Sequence, residues 1–101
     1  MQVGLETKAA QVAETLRALA NERRLLLLCR LVETGEATVT SLAEAVGLSQ
    51  SALSQHLSKM RNEGLVTFRR DGQTLWYRIA DPRIEELLTT LHGLYCRNQH
   101  L

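Results

Sequence analysis

Apolar residues recur along most of this chain every three to four positions, the spacing that collects them on one face of a helix. From Glu6 to Leu19 that spacing is carried by Val12, Leu16 and Leu19 among helix-forming neighbours, predicting a first helix over about 6–19. Asn21 suits the N-cap of a second helix, with Glu22 near the positive end of its dipole. That helix runs through Leu25, Leu26, Leu27, Leu28, Cys29, Leu31 and Val32 and stops before Gly35. Apolar on nearly every side, it is expected to be the central core helix.

Two shorter helices follow. Thr40 or Ser41 is the expected cap of the third, and Ser41 with Glu44 fits the spacing of a capping box. Leu42, Ala43 and Val46 form its inward face, Gly47 supplies a left-handed turn, and Leu48 plugs the joint. Ser49 caps the fourth helix, whose buried stripe is Leu53, Leu57 and Met60 and which ends at Gly64. The period then changes from helical to alternating. Leu65 to Arg70 and Thr74 to Ile79 read as strands joined by a turn at Asp71-Gly72-Gln73. Leu75, Tyr77 and Ile79 point one way along the second strand, and Thr74, Trp76 and Arg78 the other. Asp81 and Pro82 start a last helix, over about 82–98, with the stripe Ile84, Leu87, Leu88, Leu91, Leu94 and Tyr95.

The predicted fold is mainly α with a small β-hairpin, one domain of five helices plus a wing. Helices three and four make a helix-turn-helix over about 41–63, and the hairpin over about 65–79 is the wing. At 101 residues the chain is long enough for one modest core. Amphipathic helices at both ends carry more apolar surface than that core absorbs, so the terminal helices are expected to pair across the two-fold axis of a homodimer. The longest apolar run, Leu25 to Cys29, cannot span a bilayer. No basic segment followed by an apolar stretch opens the chain, so a cytoplasmic protein is expected, without membrane partners.

Net charge is only +1, but it is unevenly spread. Residues 1–48 carry five basic and six acidic side chains; residues 49–80 carry five basic and two acidic; residues 81–101 carry two and three. Positive charge therefore gathers around the fourth helix and the hairpin, where a helix-turn-helix meets double-stranded DNA. On the outward face of the fourth helix Ser49, Gln50, Ser51, Ser54, Gln55 and His56 can hydrogen-bond phosphates and base edges. Gln55 is the best candidate base reader, because a glutamine amide pairs bidentately with adenine. Ser49 and Ser51 are better placed for phosphate, and His56 either joins them or turns back toward the scaffold. Arg69, Arg70, Gln73 and Thr74 lie at or near the wing tip, suited to phosphate or minor-groove contact. Charge on an edge strand also protects it from pairing with another chain. Trp76 is expected to pack rather than stack on bases.

Cys29 and Cys96 are the only cysteines. Chemistry alone leaves two roles open for them. Cys29, inside a leucine-rich run, fits an inert core thiol, whereas Arg30 and Arg97 beside the two sulfurs would favour thiolate. A thiol enzyme is a weak alternative, since there is no Cys-x-x-Cys and no Ser-His-Asp constellation. A winged helix used solely for protein contact is disfavoured by the basic middle of the chain.

Taken together, Leu19-Ala-Asn-Glu-Arg-Arg-Leu25, then Gly47-Leu-Ser-Gln-Ser-Ala-Leu-Ser-Gln-His-Leu57, then Glu63-Gly-Leu-Val66 resemble the ArsR/SmtB family of bacterial winged-helix repressors. The resemblance covers nearly the whole chain and implies a homodimeric transcriptional regulator that binds a palindromic operator and releases it when an inducer acts. Many members of that family sense metals, and here the pattern departs from theirs. Ser41-Leu42-Ala43-Glu44 lacks the cysteine their third helix needs, and Asp81 and His92 alone approach the ligand pattern of the last helix. That is too few donors for tetrahedral zinc, so no metal and no cofactor is expected. Leu-Leu-Leu-Cys29 and Leu-Tyr-Cys96 instead resemble the persulfide- and redox-responsive branch. That likeness implies that reactive sulfur or an oxidant is the inducer and that Cys29 and Cys96 become bridged. A metal-responsive repressor, or an activator that works by displacing another DNA-bound protein, would share most of these residues. His92 and His100 are read as a polar-face and a tail residue.

Overall fold

The computed structural model describes residues 4–96, which form five helices and a three-stranded sheet. Helix α1 (Leu5–Leu19) gives the core only Leu19; its other stripe residues Val12 and Leu16 are 41% and 50% exposed. Helix α2 (Glu22–Thr34) is capped by Asn21, whose side chain accepts the Arg24 N–H at 3.1 Å. It is less uniformly buried than its composition implies. Leu27, Leu28 and Leu31 are sealed, but Leu26 is half exposed, because α2 turns one side away from its neighbours.

Strand β1 (Ala37–Thr38) was not anticipated. It pairs antiparallel with β3 (Thr74–Ile79), setting Ala37 opposite Tyr77 and Thr38 opposite Trp76. Two residues between a glycine and a helix carry no alternating pattern, so only the partner strand reveals them. Helix α3 (Val39–Val46) consequently starts earlier than expected. Its cap is Thr38, whose hydroxyl accepts the Ser41 N–H at 3.1 Å, in place of Thr40 or Ser41, and Glu44 is exposed. Helix α4 (Gln50–Asn62) follows, then β2 (Val66–Asp71) beside β3, in the sheet order β1-β3-β2.

Asp71 pairs with Thr74, so the hairpin loop is two residues, Gly72 and Gln73. Gly72 has φ +63° while Gln73 does not have positive φ, the pattern of a type II′ turn, which matches the twist of a hairpin. Helix α5 (Pro82–Tyr95) closes the fold, capped by Asp81, whose carboxylate accepts the Arg83 N–H at 2.9 Å. The expected continuation to residue 98, together with Arg97 and His100, lies outside the described residues.

The core draws on every layer. Leu27, Leu28 and Leu31 of α2 meet Leu42 of α3, Leu53, Leu57 and Met60 of α4, Val66 of β2 and Leu88 of α5. Each such side chain contributes about 1.5–3 kcal/mol on leaving water. The outward polar face of α4 is therefore the back of a helix whose front is fixed in this core. Among the described residues no helix is long and apolar enough to cross a membrane.

Candidate functional site

The α3–α4 joint fixes the angle between the two helices. Gly47 sits at φ 72°, ψ 35°, a left-handed conformation that side chains with a Cβ resist. Its N–H and that of Leu48 both reach the Ala43 carbonyl, the latter at 3.0 Å. The chain then turns out at Ser49, whose Oγ accepts the Ala52 N–H at 3.1 Å. That capping bond uses the oxygen as acceptor and leaves the hydroxyl hydrogen to donate, as a phosphate contact requires.

With Leu53, Leu57 and Met60 turned into the core, Gln50, Ser51, Ser54 and Gln55 are all exposed on one face of α4. His56 is set apart from them. It is half-buried and lines a groove with Arg17, Asn21, Arg24, Lys59 and Glu63, so it turns back toward the scaffold. The structure thus brings together five of the six side chains picked out on this segment.

The wing places Arg70 and Gln73 in the open at its tip. Arg69 is engaged from two sides. Its Nε and Nη2 donate to Glu36 at 2.8 and 3.0 Å, and its guanidinium lies 5.5 Å from the centre of the Trp76 ring. This fork holds the Glu36 carboxyl below the usual carboxylate range. Two of five N–H donors are then occupied, and the remainder of the guanidinium still faces outward. Trp76 is half-buried against Arg69, a packing role. Arg61, on the last turn of α4, sits 4.3 Å above the Phe68 ring, and Phe68 meets Tyr77 edge-on at 5.2 Å. Helix and wing are thereby joined through an aromatic pair.

A second long-range fork anchors the other side of α4. Arg24 of α2 donates to both Glu63 oxygens, at 2.7 and 2.9 Å, and to the Ala18 carbonyl at 3.0 Å. Bidentate pairing of this kind is the strong form of ion pair. It holds the Glu63 carboxyl below its ordinary range, the side-chain hydrogen bond from Arg24 being the main cause. Arg24, Glu36, Arg61 and Glu63 escaped sequence analysis as site residues. The partners of Arg24, Glu36 and Glu63 lie more than thirty residues away, Arg61 reaches Phe68 across the helix-to-strand turn, and no local period marks any of them.

Cys29 and Cys96, 67 positions apart, line the same shallow, mostly apolar groove with Leu25 and Leu26. Both are free thiols, Cys29 half-buried and Cys96 exposed. The expectation that arginine would favour the Cys29 thiolate is not met. Burial pushes that thiol up, and the negative charge of Cys96 and of Glu33 adds to the shift. Arg30 is drawn away by Glu33, at 3.2 Å. Glu33 also holds His92 of α5, with His92 Nε2 and Glu33 Oε2 2.8 Å apart. Asp81, the other residue near a metal-ligand pattern, is committed to the α5 cap and to Arg83.

Comparison with known proteins places these features. The family described as bacterial regulatory protein, arsR family, matches residues 21–67, from the α2 cap into β2. The transcriptional activator HlyU of Vibrio cholerae is 42% identical over 93 residues, 92% of this chain and 85% of its own length. The biofilm growth-associated repressor of Xylella fastidiosa is 35% identical over 95 residues, 94% of this chain and 82% of its own. Among solved structures, reduced HlyU from Vibrio cholerae superposes with a TM-score of 0.82 at 42% identity, covering 91% of this chain and 96% of that one. The relatives are transcriptional regulators and not enzymes. With a winged helix-turn-helix intact and its polar helix face open, this chain belongs to the ArsR family of DNA-binding transcriptional regulators.

Proposed function

We propose that this regulator binds a palindromic operator as a homodimer and that bridging of Cys29 and Cys96, driven by a persulfide or an oxidant, lowers its affinity for that operator. The observation that carries the proposal is the shared groove: α2 and the end of α5 bring Cys29 and Cys96 to the lining of one shallow surface groove. Exposed Cys96 is the first sulfur to react. Its thiolate takes the outer sulfur of a persulfide R–S–SH, giving Cys96–S–SH and releasing R–SH. Cys29 then attacks the Cys96 Sγ, forming Cys29–S–S–Cys96 and releasing hydrogen sulfide. A peroxide reaches the same bridge through a sulfenic acid at Cys96 and loss of water.

In the DNA complex Gln55 reads a base, Ser49, Gln50, Ser51 and Ser54 hold the groove walls, and Arg70 with Gln73 grips the backbone beside them. Arg69 adds a phosphate contact through the N–H groups that Glu36 leaves unused, and His56 supports α4 from behind. Dimerisation is supported by the apolar residues α1 and α5 leave outside the core, Leu5, Val12, Leu16, Leu94 and Tyr95. A bridge between α2 and α5 alters the helix that frames this surface, and with it the spacing of the two recognition helices. A hundredfold loss of operator affinity requires about 2.7 kcal/mol of preference for the DNA-incompetent form.

The simplest outcome is repression relieved by sulfur stress. The relative named as an activator favours a second form, in which the same DNA contacts raise transcription; displacement of another DNA-bound protein is the route proposed for it. The test selects a binding site from random duplexes with reduced protein and then titrates it in gel shifts. Polysulfide is expected to weaken the wild type by about a hundredfold and to leave Cys29→Ser and Cys96→Ser unchanged. A wild type that keeps its affinity after polysulfide overturns the switch.

A further inference from the structure

We propose that the Glu33–His92 contact positions the thiol pair: it docks the last turn of α5 on α2 so that Cys96 faces Cys29. The inference rests on the thiol switch proposed above and adds the residues that make it efficient.

The four side chains form two rungs between the same two helices. Cys29 and Glu33 lie four residues apart on α2, one turn, so they share a face. His92 and Cys96 have the same separation at the end of α5, and the Cys96 N–H donates to the His92 carbonyl at 2.7 Å. Cys29 and Cys96 share a groove, while Glu33 and His92 touch at 2.8 Å. The rungs therefore run antiparallel, 29 with 96 and 33 with 92. The backbone of Cys96 hangs from the residue whose side chain is fastened to α2, one turn from Cys29.

Among the described residues the apolar packing of α5 thins toward its end. Its deeply buried anchors, Ile84 and Leu88, lie in the first half of the helix. Beyond half-buried Leu91, residues Leu94 and Tyr95 are 58% and 79% exposed. Glu33 is itself oriented: Arg30, one turn earlier on α2, takes its Oε1 at 3.2 Å and leaves Oε2 to His92. A terminal turn held in register raises the local concentration of one thiol at the other, and loop closure costs less entropy when the ends are already placed.

The positioning role appears in the bridging equilibrium. Reduced full-length protein is equilibrated at constant pH with glutathione and glutathione disulfide, then alkylated and weighed intact. In this reaction the two thiols and one glutathione disulfide give the Cys29–Cys96 bridge and two glutathiones. An exposed side-chain hydrogen bond of this kind contributes up to about 1 kcal/mol, so Glu33→Ala and His92→Ala are each expected to lower the bridging constant by about fivefold. That equals a shift of about 20 mV for a two-electron couple. The exchange variant, Glu33→His with His92→Glu, is expected to recover most of the loss. It also carries the test should either alanine variant fail to fold. Operator affinity of the reduced variants should equal that of the wild type, which a merely structural role would not leave untouched. Bridging constants for all variants within about twofold of the wild type overturn the positioning role and leave the switch standing. A wild type that forms no bridge at any glutathione ratio overturns the switch, and this proposal with it.

Discussion

The two cysteines are the same side chain in different surroundings, and that difference predicts an order of reaction. Cys29 is half-buried beside Glu33, and burial, the Cys96 charge and the Glu33 charge all push its thiol up. A raised thiol holds less thiolate at neutral pH, and thiolate is the nucleophile. Cys96 is exposed and accessible. In single-cysteine variants at neutral pH, iodoacetamide should therefore modify Cys96 in Cys29→Ser faster than Cys29 in Cys96→Ser, on the order of tenfold. Equal rates would mean the surroundings do not rank the sulfurs. A parallel division separates the residues proposed to meet DNA. Gln55→Ala should narrow the gap between operator and random duplex in binding titrations, whereas Arg70→Ala should weaken both and flatten the salt slope by about one unit. Equal losses from both variants on every sequence would remove the distinction. The exposed polar face of α4 was legible because it follows from the helical period of Leu53, Leu57 and Met60. Arg69 shows the limit of such reading. Its partner Glu36 lies 33 residues away, and the pair exists only because β1 joins the sheet.

At the scale of elements, legibility follows the length of the repeating pattern. The five helices and the β2–β3 hairpin each carry enough periods to announce themselves. Strand β1 has two residues and no period, and the cap of α3 moved to Thr38 for the same reason. Contacts between elements were the least visible. Arg24 and Glu63, 39 residues apart, connect α2, which carries Cys29, to the end of α4. Because Arg24 is largely buried on its side of the pair, Glu63→Ala leaves a guanidinium short of its acceptor and should cost about 1 kcal/mol. The pH dependence has a definite sign. The Glu63 carboxyl titrates lower folded than unfolded, so its contribution is complete above the unfolded carboxylate range and is lost as pH falls through the folded value. Thermal unfolding between about pH 5 and pH 3 should therefore destabilise the wild type more than Glu63→Gln. Parallel melting curves across that range would show that the pair contributes nothing.

For the molecule as a whole, the decisive feature is where its apolar surface is left over. The core closes around α2, α3, α4 and α5, yet α1 gives it little besides Leu19. Val12 and Leu16 instead line a groove of about 350 Å³ with Leu5, Ile84 and Leu87, between the two terminal helices. A helix that buries one residue of its stripe gains too little from its own fold to hold its place, so its stability must come from packing elsewhere. In the proposed homodimer a second copy supplies that packing, since a two-fold axis sets the same apolar surface of each copy against the other. Leu16→Glu places a charge on that stripe, at the edge of the core and away from α4 and the wing. In sedimentation at micromolar concentration the wild type is expected to run as a dimer and Leu16→Glu as a monomer with unchanged helix content. The variant should also lose most of its operator affinity, because one recognition helix then reaches only half of a palindrome. A wild type that sediments as a monomer and still binds its operator tightly would remove the dimer from the mechanism. It would also remove the route by which sulfur chemistry on α2 and α5 reaches the spacing of two DNA-reading helices.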